Sequence, residues 1–534
     1  MKYYIRMKLF RPLLQFFTII LLLFNGLQIL CAQGSGTLST NETTAAQLFF
    51  SGNMHEAAKH YTELLRVDSM HYDFNVYAGL AFLNANLSKS QAIVHLTRAL
   101  KKPKADQYIH FYLGKAYMLN YQFDEAIDEF NAFVKCNLKQ DKSDLPVERY
   151  LEMCDNAKLL ISLRNNVTLD NLGTEINSEF PDYNAYITAD EHTLYFSSKQ
   201  AQNSGSELDI DGYKFADIYT SDFVDGKWLK AKKMQPPVNS TLIEDVVGVT
   251  ADGETLILYC NNDKGFDDLF FSKKEKKQFS RPEMLSLTVN SEQGEEAGMI
   301  SPDGQWIFFS SNRPGGYGGY DIYFSRRLPN GEWSNPKNAG PNINTKYHDS
   351  YPYIAPDGVT FFFSSQGHNS MGGFDLFKSS WDAENQFFAI PENLAFPINT
   401  PDDNKTISVT KSGRYAYIAD YRGNSTGDLD VYKVTFQEVP APYYVIQGDV
   451  AEVDSVTLMA NLNSYKVVIR EAGTKKQVGV YRPNLHNGSF TFILQPGYYL
   501  IDRYLNDSLL GSDEYQIEDR EPAEEKKMVS LLFR

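Results

Sequence analysis

The sequence predicts three folded parts: an array of α-helical repeats, then a five-bladed β-propeller with six blades as the alternative, and then a small β-sandwich. Three observations predict this order. Small and apolar residues recur with a period of 34 or 35 in the N-terminal part of the chain. The pattern then changes to alternating strands that recur every 51 to 62 residues, and short strands with glycine-rich turns follow near the end.

The composition is that of an acidic, aromatic-rich globular protein. The chain has 534 residues, of which 43% are hydrophobic and 14% aromatic, and its formal net charge is −16. This length supplies several cores, and the many tyrosines and phenylalanines favour strands over helices for much of the chain. A chain this acidic has no overall attraction to nucleic acid or to an anionic membrane surface. We therefore expect no nucleic-acid partner.

Residues 1–32 have the pattern of a secretory signal peptide. Basic residues precede an apolar run from Leu13 to Leu30, and Ala32 supplies a small residue at the predicted cleavage site. Two alternatives stay open: the run could remain as a transmembrane anchor, or Cys31 could carry a lipid, although the bulky Leu30 before it disfavours lipidation. We expect a periplasmic protein, with association with the outer membrane as an open alternative.

Cleavage at this site would leave three cysteines: Cys136, Cys154 and Cys260. An odd number in an exported chain does not make a disulfide framework, although Cys136 and Cys154 flank one helical junction and could pair. The cysteines and histidines show none of the spacings of a zinc site. No cofactor is therefore predicted.

Residues 43–165 are predicted to form tetratricopeptide repeats that end in a capping helix. The repeat is visible in small residues that keep a step of 34 or 35: Ala57, Ala92 and Ala126, and likewise Gly79 and Gly114. Small residues at this period let paired helices approach closely. Because such arrays usually present a concave groove, we expect this part to bind a protein of the cell envelope. A spacer that only stacks on its neighbour is the alternative.

Residues 166–437 contain five copies of a longer repeat. Each copy predicts a strand, a tight turn, a second strand, a polar loop and a third strand. Asp-Gly at the turn of three copies favours a hairpin, because glycine adopts the positive φ that the turn requires. The five turns lie at Asp190, Asp252, Asp303, Asp357 and Ser412. Segments that end in asparagine supply a fourth strand, and the segment before the first copy is expected to complete the last blade and close the ring.

Residues 441–520 alternate as short strands with glycine-rich turns, which predicts the small β-sandwich. The remaining residues, 521–534, are predicted to be a C-terminal tail.

The propeller repeats resemble a known family. The phrases Ser-Pro-Asp-Gly, Phe-Ser-Ser-Asn-Arg-Pro-Gly-Gly and Gly-Tyr-Asp-Ile-Tyr, all within residues 301–323, resemble the TolB-like (WD40-like) repeats of Bacteroidetes envelope proteins. The order of parts is similar to that of periplasmic OmpA-family proteins, which include a component of the type IX secretion system. This resemblance implies a carboxypeptidase-regulatory-like sandwich and a role in outer-membrane assembly or protein secretion. The OmpA-like domain of that family has no counterpart here, so peptidoglycan binding is not expected.

Two sets of acidic residues recur in the propeller. The first set, at the start of each first strand, could ring one mouth of the central channel and hold Ca²⁺ or a basic peptide, with hydrogen bonding between blades as the alternative. Its members are Asp182, Glu244, Glu295, Asp349 and Asp403. The second set begins each third strand and is expected to be structural, accepting N–H bonds from the preceding loop. Its members are Asp217, Asp268, Asp321, Asp375 and Asp430.

An insertion in the first copy carries Asp209 and Asp211. This pair is a weak candidate for a metal site, because the other ligands of a calcium loop are missing. Since loops on a rigid ring carry variation and function, the insertion also suits a contact with a partner.

The sequence gives little support for catalysis. Residues 423–427 match Gly-x-Ser-x-Gly, but that motif needs a strand before it and a helix after it, so the match is interpreted as accidental. His348 and His368 are the one weak hint of a catalytic site. We therefore predict a non-catalytic periplasmic scaffold, not an enzyme, that binds envelope proteins through the helical groove and the propeller faces. The alternatives are a propeller-based hydrolase or lyase and a glycan- or peptide-binding protein that uses exposed aromatics such as Tyr317, Tyr320 and Trp333.

Overall fold

A computed structural model describes residues 40–136, 145–261, 267–451, 462–484, 488–521 and 527–532. The predicted signal peptide, residues 1–32, and with it Cys31, lies outside the described residues. Within the described ranges no helix is long and apolar enough to cross a membrane. The cysteines at 136, 154 and 260 are free thiols, so the pairing of Cys136 with Cys154 is not formed.

Seven α-helices make up the described N-terminal part, and each helix packs against the next. They are α1 (Thr40–Ser51), α2 (Met54–Val67), α3 (Tyr72–Asn84), α4 (Lys89–Leu100), α5 (Tyr108–Leu119), α6 (Phe123–Cys136) and α7 (Val147–Ser162).

Small residues let these helices pack closely. The alanines at the repeat positions are completely buried: Ala57, Ala92 and Ala126. A Cβ atom on Gly79 would lie 2.6 Å from Cγ of Leu96, and one on Gly114 would lie 2.7 Å from the ring of Phe130. Since protein interiors are close-packed, a larger residue at either glycine would push two helices apart.

Residues 167–436 form five antiparallel sheets. The first contains β2 (Asp182–Ile187), β3 (Thr193–Ser198), β4 (Asp217–Val224), β5 (Lys227–Trp228) and β6 (Lys232–Lys233). The second contains β7 (Glu244–Val249), β8 (Thr255–Asn261), β9 (Asp267–Glu275), β10 (Gln278–Phe279) and β11 (Glu283–Met284). The third contains β12 (Glu295–Ile300), β13 (Trp306–Ser311), β14 (Asp321–Arg326) and β15 (Lys337–Asn338). The fourth contains β16 (Asp349–Ile354), β17 (Thr360–Ser365), β18 (Asp375–Asp382), β19 (Phe387–Phe388) and β20 (Glu392–Asn393). The fifth contains β1 (Val167–Asn171), β21 (Ile407–Val409), β22 (Tyr415–Asp420) and β23 (Asp430–Phe436).

The sheets form a closed ring. The strand that precedes the first repeat, β1, pairs antiparallel with β23 and so completes the fifth sheet. First strands of neighbouring sheets are joined by hydrogen bonds, such as that from the Tyr186 hydroxyl to the Val247 carbonyl at 2.9 Å. The first and fifth sheets are joined in the same way, because the Ile187 N–H donates a hydrogen bond to the Ser408 hydroxyl at 2.9 Å. Antiparallel sheets in such a ring form a β-propeller, and closure removes the exposed sheet edges.

The turn between the first and second strands contains a glycine with positive φ in every sheet but one. Four of these turns contain a glycine with φ of 70° to 72°: Gly253, Gly304, Gly358 and Gly413. In the first sheet the position is taken by Glu191, which has φ of 58° and is 1% exposed. A residue other than glycine is strained in this conformation, so the contacts of Glu191 must hold it there.

The C-terminal part contains two sheets that share one hydrophobic core. One sheet contains β24 (Tyr444–Ala451), β27 (Ser489–Leu494) and β30 (Lys527–Leu532), and the other contains β25 (Tyr465–Glu471), β26 (Gln477–Tyr481), β28 (Gly497–Leu505) and β29 (Ser508–Ile517). Ile446 and Phe490 of the first sheet pack with Val467 and Ile501 of the second. The prediction of a tail at 521–534 is corrected, because β30 pairs in parallel with β24 and belongs to the first of these sheets.

Candidate functional site

The propeller has two ends, and each end carries a different part of the chain. At the loop end, the first and third strands of each sheet begin. The polar loops that join each second strand to the third strand also lie at this end. At the turn end lie the hairpins that contain Glu191 and the four turn glycines. The helices contact the loop end, and the C-terminal part contacts the turn end.

Arg149 of α7 fixes the helices to the loop end. Its side chain is 6% exposed and donates to the carbonyls of Gln366 at 2.8 Å and Gly367 at 2.9 Å, in the loop between β17 and β18. The guanidinium lies 4.8 Å from the ring centre of Tyr347. A guanidinium is buried at low cost only where such partners replace water. The array is therefore held at a defined position on the propeller.

Other contacts extend this junction. Met371 and Ala395 of the fourth sheet region belong to the same hydrophobic cluster as side chains of α5, α6 and α7. Asn86, in the loop between α3 and α4, donates to the carboxylate of Asp428. This surface of the array is occupied by the chain's own propeller.

The insertion in the first repeat also contacts the helices, since a Cβ atom on Gly52 would lie 2.6 Å from Ile210. Within the insertion, Asp209 accepts from Lys199 Nζ at 2.8 Å and Asp211 accepts from the same atom. Burial opposes the charge of Lys199, but the two carboxylates raise its pKa. Asp209 and Asp211 thus neutralise a lysine. In the part of the chain that the structure describes, no group of three or more His, Cys, Asp or Glu could hold a metal ion.

The acidic residues that begin the first strands do not line an open channel mouth. Four of them are 0% to 4% exposed: Asp182, Glu244, Glu295 and Asp349. Each accepts the N–H of the serine or threonine four residues earlier, as Asp182 does from Ser178 at 2.6 Å. In the fifth sheet this place is taken by Asn404, whereas Asp403 is exposed and pairs with Lys405 at 3.2 Å. Hydrogen bonding, the alternative given for this set, therefore describes four of its members, and an exposed acidic ring does not.

Burial also changes the charge of these carboxyl groups. It raises the pKa of Asp182 and Glu244 to about 7 and that of Asp349 to about 6, while hydrogen bonds from serine and threonine act in the opposite direction.

The aspartates that begin the third strands tie the polar loops to the fourth strands. Asp321 accepts the N–H of Tyr317 at 2.6 Å and an amide N–H of Asn338 at 2.8 Å. The equivalent residues are buried in the other four sheets: Asp217, Asp268, Asp375 and Asp430. Three of these also accept an N–H from their loop: Asp217, Asp375 and Asp430.

Two acidic residues at the loop end were missed by the sequence analysis. Asp245 accepts from the Tyr183 hydroxyl at 2.7 Å, and Glu296 accepts from the Tyr351 hydroxyl at 3.2 Å. Each follows a member of the predicted ring by one residue, and side chains of a strand alternate between its two faces. Both are half-buried, and burial raises the pKa of Asp245. The sequence did carry a sign of these two residues, because each directly follows another acidic residue, as Glu244-Asp245 and Glu295-Glu296.

A buried polar network fixes the C-terminal part to the turn end. Glu521 is 7% exposed and accepts from the Ser412 hydroxyl at 2.6 Å and from the Thr410 hydroxyl at 2.9 Å. The strained Glu191 accepts from the Tyr417 hydroxyl at 2.7 Å and from the N–H of Glu521. The strain at Glu191 is thus offset by contacts that no glycine could make.

The residues that hinted at catalysis have structural partners. Ser425, in the Gly-x-Ser-x-Gly match, lies 3.0 Å from the hydroxyl of Tyr432. His348 Nδ1 accepts the N–H of Tyr320 at 3.2 Å, and His368 Nε2 lies 2.9 Å from the carbonyl of Ile343. Burial lowers the pKa of both histidines.

Comparison with known proteins gives likenesses to solved structures only. No described protein family matches the sequence, and no curated protein matches it. One similar structure, a protein of Agrobacterium tumefaciens assigned as TolB, is 16% identical over 51% of this chain and 98% of its own, with a TM-score of 0.26. A glycosyl hydrolase of Bacteroides ovatus is 10% identical over 51% of this chain and 92% of its own, with a TM-score of 0.29. The α-L-arabinanase of Penicillium chrysogenum is 11% identical over 52% of this chain and 99% of its own, with a TM-score of 0.31.

These likenesses correct one prediction. The sequence analysis predicts that the chain is not an enzyme, yet two of the similar structures are named as enzymes. The prediction is therefore withdrawn. TM-scores of this size carry no argument for any particular activity of this chain. None of the comparisons supports the resemblance to the OmpA family or to the type IX secretion component.

Proposed function

We propose that this chain is a periplasmic binding protein that holds another envelope protein during outer-membrane assembly or protein secretion. In this proposal the helices are tetratricopeptide repeats, the ring has five blades, and the two C-terminal sheets form a sandwich. The array and the loop end of the propeller carry the partner together.

The observation that carries the proposal is the buried junction at Arg149. It places the array beside the loops that the helices leave uncovered, since the helices contact the first, fourth and fifth sheets. The loop of the third sheet lies at the same end, and there Tyr317 is 53% exposed. Array and loops therefore present one composite surface of fixed geometry, which lowers the entropic cost of binding a partner.

Site-specific photo-crosslinking tests the proposal. p-Benzoylphenylalanine would replace Tyr112, a half-buried residue of α5, and in a second variant Tyr317 at the loop end. The control position is Leu509, which is 55% exposed on β29 of the C-terminal part. We expect both test positions to form an adduct with the same envelope protein in intact cells. An adduct at Leu509 alone, or no adduct at Tyr112 and Tyr317, would contradict the proposal.

A glycan-binding function has less support than a protein-binding one. It needs exposed aromatic platforms, but Trp333 is 8% exposed and Tyr320 donates its N–H to His348 in a half-buried position. Of the three aromatics singled out in the sequence, Tyr317 alone has an exposed ring.

A further inference from the structure

A cleft opens between the second and third sheets at the turn end of the propeller. Its volume is about 380 Å³, which is within the range that holds a peptide side chain and its flanking backbone. The floor is apolar and is formed by Phe271, Leu285, Ile300 and Trp333. None of the helices or the C-terminal contacts described above reaches this part of the ring.

Two cationic side chains stand over this floor. The Nζ of Lys273 lies 5.4 Å from the ring centre of Phe271, and the guanidinium of Arg327 lies 5.6 Å from that of Trp333. Both cations are exposed, and no described carboxylate lies within ion-pair distance of either. That is notable in a chain with 67 acidic and 51 basic residues. Stacked on aromatic rings, the two cations are positioned to meet an anion from outside.

The hairpin beside the cleft adds positive charge. Residues 273–281 contain one glutamate and five basic residues: Lys273, Lys274, Lys276, Lys277 and Arg281. Lys274 pairs with Glu254 at 3.3 Å, and Lys276, Lys277 and Arg281 are exposed. This local field would speed the approach of an acidic partner and repel a basic one.

The lip of the cleft also offers hydrogen-bond acceptors. Asp252 and Asp303 each use Oδ1 to accept an N–H of their own turn, from Glu254 and Gln305, both at 3.0 Å. Their Oδ2 atoms have no hydrogen bond within the described chain. Carboxylate oxygens at the lip suit the N–H groups of a peptide backbone.

We propose that this cleft binds an extended peptide segment in which an apolar side chain is flanked by carboxylates. The apolar side chain packs on the half-buried Phe271, the carboxylates pair with Lys273 and Arg327, and backbone N–H groups reach the lip. The site rests on the proposed partner-binding function and adds a second contact, at the opposite end of the propeller from the array.

Fluorescence anisotropy tests the site with three labelled pentapeptides. The first has one phenylalanine flanked on each side by two aspartates, the second has alanine for phenylalanine, and the third has lysines for the aspartates. We expect the first to bind the whole chain at low salt at least about tenfold more tightly than the other two. The double variant Lys273→Glu, Arg327→Glu should lose this binding at least about tenfold, because charge reversal at an interface is repulsive. Lys135→Glu, an exposed position on α6, is the matched control and should change it less than about twofold.

Four outcomes would overturn the proposal. They are equal binding of the alanine peptide, unchanged binding by the double variant, co-sedimentation of the chain with phosphatidylglycerol vesicles that the double variant abolishes, and a dimer in analytical ultracentrifugation that the double variant abolishes. The last two would assign the cleft to lipid or to a second copy. Because the variants are exposed, an unchanged melting temperature shows that they fold. If the cleft does not bind the peptides, the crosslinked adducts expected at Tyr112 and Tyr317 are unaffected. Failure of the cleft proposal is therefore distinguishable from failure of the proposed function.

Discussion

Arg149→Met tests the junction that fixes the array to the propeller. Methionine fills much of the same volume but cannot donate, so the carbonyl of Gln366 loses its buried donor, whereas the carbonyl of Gly367 keeps the N–H and the hydroxyl of Ser370. A buried acceptor left unsatisfied costs about 1–3 kcal/mol, so the Gln366 carbonyl alone predicts a loss of about 1–3 kcal/mol in the free energy of the junction.

Hydrogen exchange followed by mass spectrometry measures this loss locally. We expect faster exchange at residues 366–371 and along α7, with no change at β24 and β27 in the C-terminal part. Arg149→Lys should recover only part of the protection, because an ammonium group does not reproduce the two-pronged geometry of a guanidinium. Arg66→Met, at an exposed position of α2, is the matched control and should change stability by less than about 0.5 kcal/mol.

The reasoning would be refuted if Arg149→Met left exchange at residues 366–371 unchanged. That result would mean that the apolar contacts of Met371 and Ala395 hold the array without the guanidinium. An equal effect of Arg66→Met would also refute it, since the loss would then be unrelated to the buried carbonyls.

Three further predictions concern the ring and its attachments. Gly248→Ala should lower stability by about 3 kcal/mol, seen in urea unfolding, because its Cβ would lie 2.1 Å from the carbonyl oxygen of Gly298; Gly298→Ala, with its nearest contact at 3.0 Å, should cost less than about 1.5 kcal/mol. Burial raises the pKa of Asp375 to about 7, so its stabilising contribution is complete below about pH 4 and is lost as the pH rises through 7; Asp375→Asn should therefore lower the melting temperature more at pH 5 than at pH 8, and an equal gap at both would contradict the sign. Glu521→Ala should expose residues 437–443 to proteolysis because the Ser412 and Thr410 hydroxyls lose their acceptor, whereas Glu514→Ala, at an exposed position, should not.

The ring could be predicted because its information is local and repeated. The Asp-Gly turn recurs in three copies and the asparagine segment in five, and the asparagine segment before the first copy predicted the pairing of β1 with β23 that the structure shows. The strand at Lys527–Leu532 was missed because its partner, β24, lies far away in sequence and the pairing is parallel.

The site residues were harder to predict, for two physical reasons. A shift of one residue along a strand moves a side chain to the opposite face, so a correct choice of strand end found the buried Glu244 and Glu295 but not the half-buried Asp245 and Glu296 beside them. Contacts between distant parts of the chain produce no periodic pattern in the sequence. The hydrogen bonds of Arg149, for example, reach carbonyls that lie 217 and 218 positions further along the chain. Glu191 was visible as the one acidic residue at a turn position where other copies have glycine, but its partners were not.

Affinity purification of the tagged chain from intact, crosslinked envelopes tests the central claim most directly. The account predicts that one or a few outer-membrane assembly or secretion proteins are recovered in stoichiometric amounts, with crosslinks that map to the helices and to the loop end. Recovery of the chain alone would contradict the claim that it holds an envelope protein.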